Sequence, residues 1–152
     1  MALRKVGSKI PAFSLLSTSG KKVTSKSLLG SSYVLFFYPK DQTPGCTKEA
    51  CSFRDHFSLF KKKKIAIFGI SPDSIESHEK FLQKQELPYE LLSDPNHSFA
   101  EKMGAWGEKS MYGKKYMGIL RSTFIVNPKG EISKVYPKVS VATHAEDILK
   151  DL

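Results

Sequence analysis

The chain has 152 residues, 40% of them hydrophobic, which is enough for one domain with its own core and short for two. Its formal charge of +9 attracts nucleic acid, anionic surfaces and acidic protein partners alike and selects none of them. The opening MALRKVGSKIPAFSLL lacks the apolar run of about 7 to 15 residues that a signal peptide needs, and nowhere do about 18 apolar residues follow one another as a membrane span requires, so a cytoplasmic protein with no membrane partner is expected.

Near the start, FSLLSTSGKKVTS reads as a separate β-hairpin turning at Ser19-Gly20. YVLFFY (33 to 38) and IAIFGI (65 to 70) are short continuous apolar runs, rich in aromatic and β-branched residues, as expected of strands buried on both faces. Between them, Ala50, Phe53, Phe57 and Phe60 recur at helical spacing, which predicts one helix from Cys46 to about Phe60 and a right-handed parallel crossover. Lys61 to Lys64 then form a cationic helix end and a solvated connection. SPDSIESHEKFLQKQEL offers a second helix with Ser71 or Asp73 as N-cap, closed by Pro88.

YELLSDP reads as a short strand and 96 to 103 as a small helix. Two β-rich runs flank Asn127-Pro128-Lys129-Gly130, a hairpin signal. The tail THAEDILKDL opens on Thr143 with Glu146 three residues on, a capping-box pattern. Nothing repeats and no linker divides the chain, so strand and helix alternate within one α/β domain spanning 1 to 152.

Both cysteines, Cys46 and Cys51, lie in PKDQTPGCTKEAC. In a reducing compartment such a pair points to catalysis or metal rather than to a structural cross-link. Pro39 cannot continue a strand ladder, so the chain turns before its helix and leaves Cys46 near the helix N-terminus. Free N–H groups and the positive dipole end stabilise a thiolate there, which makes Cys46 the better nucleophile and Cys51 the second thiol. Five residues along a helix separate two Cα atoms by about 8 to 9 Å, beyond the roughly 4.4 to 6.8 Å of a disulfide. A bond between them therefore requires the segment to unwind.

Competing readings are weaker. Cys46, Cys51 and His56 recur at steps of five, but on a helix those steps point to different sides and match no zinc pattern, so no metal or cofactor is expected. His78, His97 and His144 fall in polar stretches and read as solvated or capping residues. Arg54 reads as a surface residue pairing with Asp55 or solvent. Lys114 and Lys115 beside Tyr112 and Tyr116 lack any nucleic-acid motif, so no nucleic acid is expected as partner.

Pro39, Thr43 and Cys46 in PKDQTPGC resemble the Pro-x-x-x-Thr-x-x-Cys signature of the peroxiredoxins, and Cys51 five residues on resembles the peroxiredoxin Q or bacterioferritin-comigratory-protein group. The likeness extends through GISPDSIESHEKF, LLSDPN, WGEKSMYGKKYMGILRSTFIVNPKG and HAEDILKDL. It implies a thioredoxin-like fold, a central mixed sheet flanked by helices with the extra N-terminal hairpin. It also implies a monomeric thiol peroxidase that needs no cofactor, with thioredoxin as its reductant and hydrogen peroxide and small organic hydroperoxides as substrates.

By that resemblance Cys46 is the peroxidatic thiolate and Cys51 the resolving thiol. Thr43 places its hydroxyl on sulfur and peroxide, Pro39 and Gly45 border the substrate, and Arg121 supplies a permanent guanidinium. Glu49 holds the site's hydrogen bonds, or is only a first-turn acid favoured by the helix dipole. The aromatics of FFY and MYGKKYMGI are expected chiefly in the core, with some lining an apolar entrance. A disulfide oxidoreductase would use the absent Cys-x-x-Cys and leave Thr43 and Arg121 without a task. A non-enzymatic basic binding module remains the other alternative, with salt-sensitive DNA binding as its mark.

Overall fold

The structure is a computed structural model and describes residues 3–152. The two apolar runs become the centre of one sheet. β1 (Ser14–Ser17) and β2 (Lys22–Thr24) form the predicted hairpin; β3 (Ser32–Phe37), α1 (Pro44–Asp55), α2 (Phe57–Lys62) and β4 (Ile65–Ser71) form the crossover. Then come α3 (Ile75–Gln85), β5 (Glu90–Ser93), α4 (Ser98–Met103), β6 (Trp106–Met111), β7 (Lys114–Ile119), β8 (Ser122–Val126), β9 (Ile132–Tyr136) and α5 (His144–Lys150). The sheet runs β2-β1-β5-β4-β3-β8-β9. β3, β4 and β5 are parallel, and the remaining pairs are antiparallel, so the sheet is mixed.

Strand alternation divides β3 between two cores. Tyr33, Leu35 and Phe37 point to the face covered by α4, where they meet Phe68, Phe99 and Phe124. Val34, Phe36 and Tyr38 point to the face covered by α1, α2, α3 and α5, among Phe53, Phe60, Phe81 and Ile148. Burial on both faces is what the unbroken apolar run anticipates.

Several expectations change. The N-terminal hairpin is not separate, because Leu16 and Ser17 of β1 pair with Ser93 and Leu92 of β5 and extend the central sheet. The predicted 46-to-60 helix begins at Pro44, a favoured N1 residue, and breaks at His56. There the His56 ring donates from Nδ1 to the Ser52 carbonyl at 2.9 Å, competing with the backbone bond that would continue the helix.

The cap of α3 is Ser74, whose Oγ accepts from Ser77 N; Ser71 and Asp73 are instead bonded to each other. Thr143 precedes α5, but no capping box forms: its hydroxyl donates to Asp147, and Glu146 faces His56. β6 and β7 form a second, two-stranded sheet that the chain-order reading does not anticipate. Its turn, Tyr112-Gly113, has positive φ at both residues (52° and 78°), the geometry of a two-residue hairpin and the sequence signal for it. No helix among the described residues is long and apolar enough to cross a membrane.

Candidate active site

The parallel strands β3 and β4 end side by side, and the loop leaving β3 is fixed before α1 begins. Tyr38 OH donates to Asp41 Oδ1 at 2.6 Å, Ser77 Oγ donates to Asp41 Oδ2 at 2.8 Å, and the Asp41 amide donates to Asp73 Oδ2 at 2.7 Å. His78 is fully buried rather than solvated, with Nδ1 against Asp41 Oδ2 at 2.7 Å and Nε2 donating to the Leu92 carbonyl at 2.9 Å. This network ties the stretch carrying Pro39, Thr43 and Gly45 to α3 and β5. Asp41, Asp73 and His78 are the convergence of potential metal ligands found among the described residues, whereas Cys46, Cys51 and His56 do not converge.

Thr43 occupies the N-cap of α1 with extended backbone, and its hydroxyl donates to the Lys40 carbonyl at 2.9 Å. Cys46 sits in the first turn of α1, 1% exposed, where free amide groups face the sulfur's end of the helix. Arg121 stands between Ile119 and Ser122, where β7 hands over to β8, which runs antiparallel beside β3. Its Nη2 donates to Cys46 Sγ at 3.2 Å and its Nη1 to Glu49 Oε1 at 2.5 Å. One guanidinium thus bridges the nucleophile and a carboxyl group one turn along the same helix. Burial works against the Arg121 charge, but Glu49 and Cys46 together outweigh it and hold the guanidinium's proton more tightly than usual. Gly45 lies beside this guanidinium: a Cβ there would come within 3.5 Å of Nη2.

Glu49 is no ordinary first-turn acid, since it is completely buried. Burial pushes its carboxyl up to about 7 against the opposing pull of Arg121. Its Oε2 has no hydrogen-bond partner among the described residues. His144 Nε2 stands 4.0 Å from it, but that nitrogen is engaged with Thr123 Oγ1 at 2.7 Å. His144 is buried, not solvated, and burial pushes it down to about 4, so it stands beside Glu49 as a neutral ring and the two do not form an ion pair.

Cys51 lies within the same continuous helix, and both thiols are free. Its half-buried sulfhydryl contacts Gln85 Oε1 at 3.5 Å, and burial pushes the thiol up, with Arg54 opposing. Arg54 pairs with Asp55 as expected and also donates to the Gln85 carbonyl at 2.8 Å. Phe36, Phe37 and Tyr38 are core residues. Most of these aromatics therefore pack inside as expected, whereas Tyr112 and Tyr116 are exposed on the β6–β7 hairpin together with Met111 and Met117.

Sequence reasoning passes over two residues here, Asp41 and Lys109, and misreads two others, His78 and His144, which are buried rather than solvated. Lys109 lies half-buried on β6, its stem against Gly118, close enough to feel both Arg121 and Cys46. Burial lowers its proton affinity, as does Arg121, while Cys46 opposes. The glycines Gly107 and Gly118, paired opposite each other, are the signal for close approach on that hairpin face.

Known proteins resemble this chain over most of its length. The AhpC/TSA family model matches residues 6–135. Peroxiredoxin Bcp of Bacillus subtilis is 44% identical over 148 residues, covering 97% of this chain and 94% of that one. A Xanthomonas campestris peroxiredoxin Q structure is similar at a TM-score of 0.86 and 38% identity, covering 91% and 88% of the two chains. A structure of Xanthomonas campestris bacterioferritin comigratory protein, described in terms of its alkyl peroxide reduction activity, reaches a TM-score of 0.89 at 36% identity, covering 97% and 96%.

Proposed function

The chain belongs to the AhpC/TSA family, in its peroxiredoxin Q or bacterioferritin-comigratory-protein group, and on that premise we propose that Cys46 is the peroxidatic residue of a thiol peroxidase resolved by Cys51 and reduced by thioredoxin. The observation that carries this reading is the Arg121 guanidinium held on Cys46 Sγ at 3.2 Å. A thiolate attacking a peroxide needs a cation and donors where negative charge moves from sulfur to the departing oxygen. Arg121 donates to the sulfur already and keeps its charge at any working pH.

The geometry supports the following cycle. Cys46 attacks one peroxide oxygen, the O–O bond breaks, and a sulfenic acid forms as water or an alcohol leaves. Thr43, whose hydroxyl now rests on Lys40 O, turns toward the incoming peroxide, while Pro39 and Gly45 wall the approach. Two cysteines in one intact helix cannot bond at about 8 to 9 Å, so α1 unwinds before Cys51 attacks the sulfenic acid and releases water. An external dithiol of the thioredoxin type then reduces the disulfide. Substrates are hydrogen peroxide and small organic hydroperoxides, and residues 1 to 152 act as a single monomeric unit in the cytoplasm.

The test is stopped-flow oxidation of the reduced protein by hydrogen peroxide, with mass spectrometry to locate the bond. Cys46→Ser abolishes peroxide consumption; Cys51→Ser keeps the first oxidation and loses turnover with thioredoxin. Undiminished turnover in Cys46→Ser removes the reading.

A further inference from the structure

Two buried acids face a single guanidinium. Arg121 Nη1 holds Glu49 at 2.5 Å and Nη2 holds Cys46 Sγ at 3.2 Å, while Glu49 Oε2 is enclosed without a hydrogen-bond partner among the described residues. If thiol and carboxyl were both ionised, the site would carry one more negative charge than Arg121 neutralises, with one carboxylate oxygen unsolvated. Among the described residues, none of the other groups facing the site gives that oxygen a partner. His144, from α5, is neutral at 4.0 Å from Oε2. Tyr89, just before β5, is buried and holds its proton well above the usual range, because of burial and then Glu49. Lys109, from β6, acts on Cys46 through space and offsets part of the charge there, but leaves Glu49 Oε2 unpartnered.

Resting on the peroxidase reading, we propose that Cys46 and Glu49 share one proton against Arg121, and that Glu49 takes over the negative charge when the sulfur gives it up. The burial-raised carboxyl, at about 7, is poised for that exchange at working pH. In the first step Cys46 thiolate forms an S–O bond to the terminal oxygen of HO–OR and the O–O bond breaks. Sulfur loses two electrons, and RO⁻ leaves with the pair and is protonated by solvent. The guanidinium now faces a neutral sulfur, so Glu49 releases its proton to solvent and becomes the counter-ion. Cys51 thiol then attacks the sulfenic acid, forming the disulfide and one water. Across both steps uptake and release of protons cancel.

The cancellation can be measured. Reduced wild-type protein and Glu49→Gln, which keeps an acceptor for Arg121 but cannot ionise, are oxidised with hydrogen peroxide in weakly buffered solution just below neutrality. A pH-indicator dye reads the protons taken up per disulfide formed. Wild type is expected to take up close to none and Glu49→Gln close to one. An uptake near one in wild type overturns the proposal, as does the same uptake in both proteins. Should Glu49→Gln fail to fold, infrared difference spectra of the wild type decide instead. A protonated carboxyl band must bleach on oxidation, and an unchanged carboxyl region removes the shared proton. No Cys46–Cys51 disulfide by mass would overturn the peroxidase reading and this proposal with it, whereas a normal disulfide with the wrong proton count overturns this proposal alone.

Discussion

Glu49 makes the fold itself sensitive to pH. In the unfolded chain its carboxyl ionises near 4.5, whereas in the folded protein burial holds it at about 7. Stability from this group is therefore complete below about pH 4.5 and is lost as pH rises through about 7, a difference of about 3 kcal/mol. His144 acts with the opposite sign. Its folded value of about 4 lies below the ordinary 6.5, so its contribution is present above pH 6.5 and is lost as pH falls through about 4. Between about pH 4.5 and 6.5 the two groups act with opposite slopes and largely cancel. Denaturant unfolding across pH 4 to 8 should therefore show wild-type stability nearly level there and declining as pH passes from about 6.5 to 7, whereas Glu49→Gln should show stability rising from about pH 4 to 6.5 with no decline above it. A decline of the same size in both proteins assigns it to other groups. The meeting of Cys46 with Arg121 was legible because a fixed local spacing and one distant motif carry it, whereas the Thr43 hydroxyl, expected on the sulfur, donates to the Lys40 carbonyl instead. The burial of Glu49 and His144 was not legible, since it depends on α1, α5 and β8 meeting in space, which no local pattern of polar residues announces.

At the level of elements, the proposed cycle asks α1 to be stable enough to hold Cys46 against Arg121 and weak enough to release Cys51. Two flanks restrain its second half. The end of α3 and the segment after it tie that half of α1 through Arg54, which donates to the Gln85 carbonyl at 2.8 Å, and through Tyr89 OH, which donates to the Ala50 carbonyl at 2.7 Å. From α5, the Ala145 amide donates to Ser52 Oγ at 3.1 Å. Each such bond contributes about 1 kcal/mol to keeping the helix wound. Tyr89→Phe retains the ring's packing against Phe36 and Phe53 and deletes one restraint, so disulfide formation after the first oxidation should quicken by roughly fivefold. Rapid-quench trapping of the sulfenic acid measures this, and an unchanged or slower step removes Tyr89 from control of unwinding. The cysteine spacing placed both thiols on one helix correctly. The break at His56 escaped that reading because a side-chain bond to Ser52 O, not a Gly or Pro, ends the helix.

Across the whole molecule, α1 rests on the sheet in part through a column of stacked rings, and a glycine lies beneath that column. The unbroken apolar runs 33 to 38 and 65 to 70 announced a doubly covered sheet. They could not say that β8 would lie antiparallel against β3, or that β1 would close on β5, because those pairings are set by long-range packing. Gly69 in β4 shows what that packing demands. A Cβ there would meet Phe36 Cζ at 2.7 Å and Leu91 Cδ2 at 2.8 Å, both fully buried side chains on the neighbouring strands. Phe36 in turn stacks on Phe53 of α1 with ring centroids 4.6 Å apart. Adding a methyl at Gly69 therefore pushes Phe36 into the helix that carries Cys46. Overpacking of this kind costs about 1 to 3 kcal/mol, which for a chain of this size lowers Tm by roughly 2 to 12 °C. Gly69→Ala should also slow Cys46 oxidation at temperatures where the protein remains folded. Phe124→Leu, on the opposite face of the sheet, should destabilise comparably yet leave that rate unchanged. Equal rate losses in the two variants would mean that global stability, rather than the Gly69–Phe36–Phe53 column, sets the position of the nucleophile.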